Sequence, residues 1–193
     1  MRTIVAILFL SLSCFAAEQK AVFAGGCFWG VEAVFESLKG VIDVRSGFAG
    51  GTAKTANYED VSYHRSTHAE AVEVRFDPAK VTYEQLLNIF FIVAHDPTEL
   101  NRQGPDTGPQ YRSAIFYADD AQLNAAKAFI ATLEKAQIYK KPIVTKLEKL
   151  SVFYPAEYDH QNYVRHNPDD PYVVRNDLPK LVALKQAFPN LVK

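Results

Sequence analysis

Cys27 stands in a setting that suits nucleophilic chemistry. It lies within a glycine-framed segment at residues 25–32 (GGCFWGVE), after a short apolar stretch at residues 21–24 and before apolar residues at helical spacing. This arrangement predicts a strand-to-helix turn with Cys27 at or just before the first helical turn. Because backbone N–H groups and the positive end of the helix dipole point at that position, we expect the thiolate to be favoured over the thiol. The alternative is a buried cysteine in an aromatic core.

Two aromatic residues, Phe28 and Trp29, follow the cysteine directly. Their apolar faces would lie beside the nucleophile, which suits a small apolar group on a substrate. The flanking glycines carry no Cβ atom, so backbone and substrate can approach closely. The segment therefore indicates an apolar pocket next to a reactive sulfur.

Glu70 is a candidate general acid. Residues 68–76 alternate as a strand, and this alternation places Glu70 on the apolar face. The apolar residues of that face are Val72, Val74 and Phe76. A carboxyl on an apolar face is desolvated, which raises its pKa and can keep it protonated near neutral pH. The alternative is a carboxyl at the strand end that reaches solvent.

The five histidines offer no clear catalytic base. None lies in a glycine-framed context, so we expect them in loops or on the surface, and their spacing predicts no metal site. These residues are His64, His68, His95, His160 and His166.

A thiol, a buried acid and loop tyrosines suit attack on a small, neutral, polarised centre whose oxygen needs a proton. Peptide hydrolysis would instead need a base and an oxyanion hole.

Strands and helices alternate along the part of the chain that would position these residues. A capping box formed by Thr82 and Gln85 begins one helix, Asp119 or Asp120 begins another, and Gly40 is placed to end the helix after Cys27. Strands are predicted at residues 21–24, 41–48, 68–76, 111–117 and 142–150. Further helices are predicted at residues 82–94, from 119 or 120 to 135, 156–167 and 178–188.

The order β-α-β-β-α-β predicts an α+β fold. We expect a two-layer sandwich with a ferredoxin-like core, a mixed or antiparallel sheet, helices on one face and an extended C-terminal tail. Two long polar loops, at residues 52–66 and 95–110, carry Tyr58 and Asp106, and the second leads to Tyr111 at the next strand.

Residues 1–16 have the features of a signal peptide: Arg2, an apolar run at residues 4–12, and small residues before the cleavage site. The run is too short to span a membrane. We therefore expect export, to the periplasm of a bacterium, and a single catalytic domain at residues 17–193. Lipid anchoring through Cys14 is the alternative, but residues 11–13 match a lipidation signal poorly.

The formal net charge of −1 excludes the basic footprint of a nucleic-acid-binding protein. The sequence has two cysteines, Cys14 and Cys27. If Cys14 leaves with the signal peptide, no internal disulfide can form, and a lone thiol in an exported chain is a candidate reactive group.

Several segments together resemble the A type of the peptide methionine sulfoxide reductase family, in order and with compatible spacing. They cover residues 21–167. These segments are 25–32 (GGCFWGVE), 47–51 (GFAGG), 58–61 (YEDV), 68–72 (HAEAV), 77–78 (DP), 102–104 (RQG), 110–113 (QYRS) and 154–157 (YPAE).

The resemblance implies reduction of the S epimer of methionine sulfoxide, free or in proteins, and hence repair of oxidised proteins. It implies that Cys27 attacks the sulfoxide sulfur and becomes a sulfenic acid, while Glu70 protonates the oxygen. By the same resemblance, Tyr58 and Tyr111 hydrogen-bond the oxygen, and Asp106 orders the polar side. Phe28 and Trp29 hold the substrate methyl group. Packing for the two tyrosines, and turn formation for Asp106, are the alternatives.

The chain departs from the family pattern in two ways. Many relatives carry resolving cysteines in the C-terminal tail, but residues 168–193 contain none. An external thiol must then regenerate Cys27: a thioredoxin- or glutaredoxin-like protein, or dithiothreitol in vitro, with no cofactor. Phe48 and Asp159 stand where relatives commonly have tyrosine, which affects local packing rather than activity. We expect a monomer.

Two other functions are compatible with the residues alone. A thiol peroxidase would be oxidised at Cys27 by hydrogen peroxide faster than by methyl sulfoxides. A binding module would use Phe28 and Trp29 to hold oxidised methionine without consuming it, and alkylation of Cys27 would not disturb that binding.

Overall fold

A computed structural model describes residues 17–193, so the expected signal peptide and Cys14 lie outside the described residues. Within the described part, no helix is both long and apolar enough to cross a membrane.

A six-stranded mixed sheet organises the chain. The strands are β1 (Gln19–Gly25), β2 (Val41–Ala49), β3 (Ala69–Phe76), β4 (Arg102–Gln103), β5 (Asp106–Thr107), β6 (Ser113–Tyr117), β7 (Lys146–Lys149) and β8 (Phe153–Pro155). The sheet order is β7-β6-β1-β3-β2-β8, while β4 and β5 form a separate small hairpin. Within residues 17–193, the β6–β7 pair of the large sheet is parallel and its other strand pairs are antiparallel.

Helices connect the strands and follow the sheet at the C-terminus. They are α1 (Phe28–Glu36), α2 (Tyr58–Ser62), α3 (Tyr83–Ile89), α4 (Asp120–Lys135), α5 (Tyr163–His166) and α6 (Leu178–Ala187). The predicted Thr82–Gln85 capping box begins α3, and Asp119 caps α4 by accepting from the Gln122 N–H. A π-type turn, Phe90–Ala94, continues α3.

The main core lies between the helices and one face of the sheet. Phe23 of β1 is fully buried there, with its ring centroid 5.1 Å from Phe35 of α1 and 4.9 Å from Phe90. Phe23 is paired with Val72 of β3, so both side chains leave the sheet on the helical side. The opposite face carries a smaller cluster: Val22, Ala24, Ala49, Ala69, Ala71, Ala114 and Phe116.

Three local predictions differ from the structure. The loop predicted at residues 52–66 contains α2, which Asn57 caps by accepting from the Asp60 N–H. The helix predicted at residues 156–167 is interrupted, because Asn162 adopts a left-handed conformation (φ 53°) and only α5 follows it. Gly40 (φ 86°) does not end α1, which is capped by Ser37.

The C-terminal segment is folded against the domain rather than extended. α6 packs on α1, and Leu184 is fully buried. Asp177 is fully buried, and its Oδ1 lies 2.1 Å from the position that a Cβ on Gly30 would take, so only glycine fits at residue 30. The close approach ties this segment to the first turn of α1, directly after Cys27.

Candidate active site

Cys27 lies at the turn between β1 and α1, as predicted. It is the residue immediately before α1, and Gly26 provides the positive φ (93°) that reverses the chain. A Cβ at Gly26 would come within 2.6 Å of the Gln103 side chain, so the turn also packs closely against the β4–β5 hairpin. Cys27 is 8% exposed, and this exposed part lines a cavity.

Glu70 reaches the same turn from β3. Its cross-strand partner is Phe48, and it shares the helical face with Val72 and Val74, as strand alternation predicts. The residue is 2% exposed, and its Oε2 accepts the backbone N–H of Phe28 at 3.1 Å. The carboxyl is therefore fixed next to the cysteine rather than free in solvent.

A cavity of about 210 Å³ brings all seven predicted site residues together. Its lining consists of Cys27, Phe28, Trp29, Tyr58, Glu70, Asp106, Tyr111 and Tyr172. Larger grooves of about 540 and 570 Å³ lie elsewhere on the described surface, but neither includes Cys27. The smaller cavity is the candidate active site because it combines a thiol, a buried acid and phenol hydroxyls.

Tyr172 belongs to the site although the sequence did not indicate it. Its hydroxyl donates to Oδ2 of Asp106, and its ring lies edge-on to Trp29 at 5.8 Å between centroids. Tyr172 precedes the π-type turn Val173–Asp177, about 145 residues after the cysteine. No local pattern links residues so far apart, so only the folded chain shows this contact.

The prediction that Cys27 is a thiolate is wrong. Burial raises the pKa of the Cys27 thiol well above its usual value, and the nearby Glu70 and Asp177 carboxyls raise it further. A hydrogen bond from the Trp29 N–H lowers the pKa but does not outweigh these effects. The helix N-terminus is present as predicted, yet desolvation dominates, so the resting sulfur is a thiol.

Glu70 and the two tyrosines Tyr58 and Tyr111 hold their protons. Burial raises the pKa of Glu70 to about 8, so the carboxyl is largely protonated at neutral pH. Burial, with Glu70 next in importance, raises the pKa of Tyr58 to about 12, and the pKa of Tyr111 is raised in the same way. The cavity thus presents proton donors on one side: a carboxylic acid and two phenols.

An aromatic cluster forms the other side. The Trp29 ring stacks on Tyr163 at 3.6 Å between centroids, and Phe28 packs on Phe48 at 5.8 Å. Phe48 is fully buried, so phenylalanine leaves no hydroxyl unsatisfied there. This wall is apolar, as Phe28 and Trp29 predict.

The histidine prediction fails in part. His68 and His95 are buried, and His160 contacts the aromatic side of the cavity. The sequence does not indicate the burial of His68 and His95 or the contacts of His160, because they depend on long-range packing. Over residues 17–193, no cluster of three or more His, Cys, Asp or Glu side chains could hold a metal ion.

A thiol next to a buried acid, facing an apolar wall, is an arrangement for thiol-based reduction of a small polar group. Comparison with known proteins agrees with this class. The family model for peptide methionine sulfoxide reductase matches residues 19–190. The chain therefore belongs to the peptide methionine sulfoxide reductase family, and it reduces methionine sulfoxide.

Individual relatives are similar over most of their length. Peptide methionine sulfoxide reductase MsrA 2 of Mesorhizobium japonicum is 54% identical over 174 residues, covering 90% of this chain and 89% of the relative. The structure of Mxr1 from Saccharomyces cerevisiae in reduced form has a TM-score of 0.74 at 33% identity, covering 80% of this chain and 88% of Mxr1. Mxr1 in complex with Trx2 has a TM-score of 0.53 at 26% identity, covering 77% and 86%.

Proposed function

We propose that the chain reduces the S epimer of methionine sulfoxide, free and in proteins, by transferring the oxygen to Cys27. The observation that carries this proposal is the shared cavity, in which Cys27 and Glu70 face the Phe28–Trp29 wall. The wall accommodates the methyl group, while the hydroxyls of Tyr58 and Tyr111 donate to the sulfoxide oxygen. Asp106, held by Tyr172, orders the polar side.

The proton movements follow from the two raised pKa values. Glu70 is protonated at neutral pH and gives its proton to the sulfoxide oxygen; its carboxylate then takes the Cys27 proton as sulfur attacks sulfur. The attack forms a bond between the two sulfurs. The hydroxyl then moves to the Cys27 sulfur: a new S–O bond forms there, while the sulfur–sulfur bond and the substrate S–O bond break. The substrate sulfur thereby gains two electrons, and the Cys27 sulfur loses two as it becomes a sulfenic acid. The products are methionine and oxidised enzyme, so atoms and charge balance.

Regeneration needs two external thiol groups. The first attacks the sulfenic acid, releasing water and forming a mixed disulfide; the second releases Cys27 and leaves the reductant as a disulfide. The absence of cysteine from residues 168–193 supports this one-cysteine route. The similarity to Mxr1, whose complex with Trx2 is known, supports a thioredoxin-like protein as the reductant. No organic cofactor is part of the scheme.

Residues 17–193 form a single domain, since one main core includes residues from β1 to α6. The order β6-β1-β3-β2, with α1 and α3 in the connections, supports a ferredoxin-like core. The features of residues 1–16 support export to a periplasm, with cleavage of this segment and no lipid anchor on Cys14. We also propose that the protein is a monomer.

The proposed function is tested with separated S and R epimers of a methionine sulfoxide peptide, in the presence of dithiothreitol. We expect catalytic formation of methionine from the S epimer, with little from the R epimer, and no turnover beyond one equivalent without thiol. Equal rates for the two epimers, or sustained turnover without thiol, would refute the proposal.

A further inference from the structure

His160 lies against both sides of the candidate active site. It ends a single helical turn, Tyr158–His160, and its ring stacks on Tyr58 with 4.0 Å between centroids. The same ring lies 5.6 Å from Phe28 and 5.9 Å from Trp29. One side chain therefore contacts a proposed oxygen-binding tyrosine and both residues of the methyl-binding wall.

A hydrogen bond accompanies the packing. Nε1 of Trp29 donates to Nδ1 of His160 at 3.3 Å. Indole nitrogen can only donate, so Nδ1 acts as the acceptor and the imidazole is neutral with its proton on Nε2. The indole N–H is also the sole hydrogen-bond donor in the Phe28 and Trp29 side chains. His160 therefore occupies the one polar group of the apolar wall.

The segment around His160 is anchored independently of its ring. Gln161 accepts the Ser46 N–H at 3.0 Å and donates to the Ser46 carbonyl at 2.8 Å. The Asn162 N–H donates to Oε2 of Glu32 at 2.8 Å. Replacing the imidazole removes none of these contacts, so its effect on the cavity can be separated from unfolding of the segment.

The epimers of a sulfoxide differ by exchange of the oxygen and the methyl group at sulfur. With the rest of the substrate in place, the R epimer would direct its oxygen at the wall that holds the methyl group of the S epimer. An oxygen that loses its hydrogen bonds to water and gains none in the cavity binds poorly. A free indole N–H on that wall would supply the missing donor.

We propose that His160 is a positioning residue that sets epimer preference, because its ring packs on both Trp29 and Tyr58 and its Nδ1 keeps the indole N–H from the substrate oxygen. This inference rests on the proposed function and deepens it. His160 itself neither accepts the oxygen nor transfers a proton. Its contribution is to bond the indole N–H of Trp29, so that the Phe28–Trp29 wall offers no hydrogen-bond donor to the substrate.

Two substitutions in the full chain separate the hydrogen bond from the packing. His160→Phe keeps a ring but no acceptor, whereas His160→Asn places Oδ1 near the position of Nδ1 but removes the ring. We measure kcat/KM for the separated epimers of a methionine sulfoxide peptide. His160→Phe is expected to lower the ratio of kcat/KM for the S epimer to that for the R epimer by about tenfold. A change of this size corresponds to the free energy of one hydrogen bond. His160→Asn is expected to keep the wild-type ratio within about threefold, because the acceptor is retained.

A double substitution tests the coupling directly. In a Trp29→Phe background the wall has no N–H, so adding His160→Phe should leave the ratio of that background unchanged. The exposed His166→Phe variant serves as the matched control and should behave as wild type. The emission of Trp29, the chain's single tryptophan, reports whether the indole environment changes as expected in His160→Phe.

The outcomes distinguish this inference from the proposed function. If wild type reduces the S epimer but His160→Phe lowers both epimers in proportion, His160 is only structural and the inference is overturned. The inference is also overturned if His160→Phe changes the S-to-R ratio of kcat/KM as much in the Trp29→Phe background as in wild type. If wild type shows no epimer preference, the proposed function itself fails.

Discussion

The backbone N–H of Phe28 donates to Oε2 of Glu70 at 3.1 Å, which joins the first residue of α1 to the middle of the sheet. Phe28 directly follows Cys27, so this bond sets the carboxyl beside the sulfur. It also leaves Oε1 as the oxygen that can carry the proton. The acid and the nucleophile are thus positioned by one contact between β3 and α1.

Glu70→Gln removes the proton donor while keeping the shape of the side chain. We expect kcat/KM for the S epimer to fall by about 10²–10⁴, the range for loss of a general acid. Glu73→Gln is the matched control: Glu73 points to the opposite face of the same strand and pairs with Lys20 at 3.2 Å. Steady-state kinetics measure kcat/KM for both variants. A similar decrease in kcat/KM in the two would show that Glu70 is not the general acid.

The same substitution should change the ionisation of Cys27. Glu70 raises the pKa of the thiol, second only to burial, so a neutral amide at residue 70 should lower that pKa. The rate of alkylation by iodoacetamide, followed against pH, reports the thiolate fraction. We expect its midpoint to move to lower pH in Glu70→Gln and to stay in place in Glu73→Gln. An upward shift would contradict the account.

Glu32 gives the fold a pH dependence of its own. The residue is 1% exposed on α1, and burial raises its pKa to about 8 from an ordinary value of 4.5. Because the folded state holds this proton more tightly than the unfolded chain, the resulting stabilisation is complete below about pH 4.5. It is lost as the pH rises to about 8.

Glu32→Gln should remove this contribution, since the amide does not titrate. We expect the decline in unfolding midpoint between pH 5 and 8 to be smaller in Glu32→Gln than in wild type, by a few degrees across the range. Thermal unfolding followed by circular dichroism measures it. The exposed Glu84→Gln variant is the control; an identical decline in wild type and Glu32→Gln would show that Glu32 is not desolvated as described.

The sequence predicted features that depend on short-range periodicity. Strand alternation placed Glu70 on the buried face, and the glycine-framed segment placed Cys27 before α1, because both follow from backbone geometry. The five-residue α2 was missed, since a single turn carries little hydrophobic periodicity. The interruption at Asn162 was also missed: the residue adopts a left-handed conformation, and its N–H donates to Glu32, which lies far away in the sequence.

Other parts of the site come from long-range packing. Tyr172 and His160 reach the cavity from segments more than 100 residues after Cys27, and neither lies in a motif that indicates chemistry. The state of the thiol was predicted wrongly because the helix dipole is a local effect, whereas the desolvation that outweighs it depends on the whole core. The raised pKa of Glu70 was thus predictable, because it follows from strand alternation, whereas the raised pKa of Cys27 was not.

The central claim is that a single sulfur takes the oxygen from the substrate. The most direct test is a single turnover without reductant, using a full chain with Cys14→Ser so that Cys27 is the only thiol, and mass spectrometry of the Cys27 peptide. We expect one equivalent of methionine per chain and a sulfenic acid on Cys27, which dimedone converts to a thioether adduct with loss of water; Cys27→Ser should form neither. Methionine formed while Cys27 remains unoxidised would contradict the account.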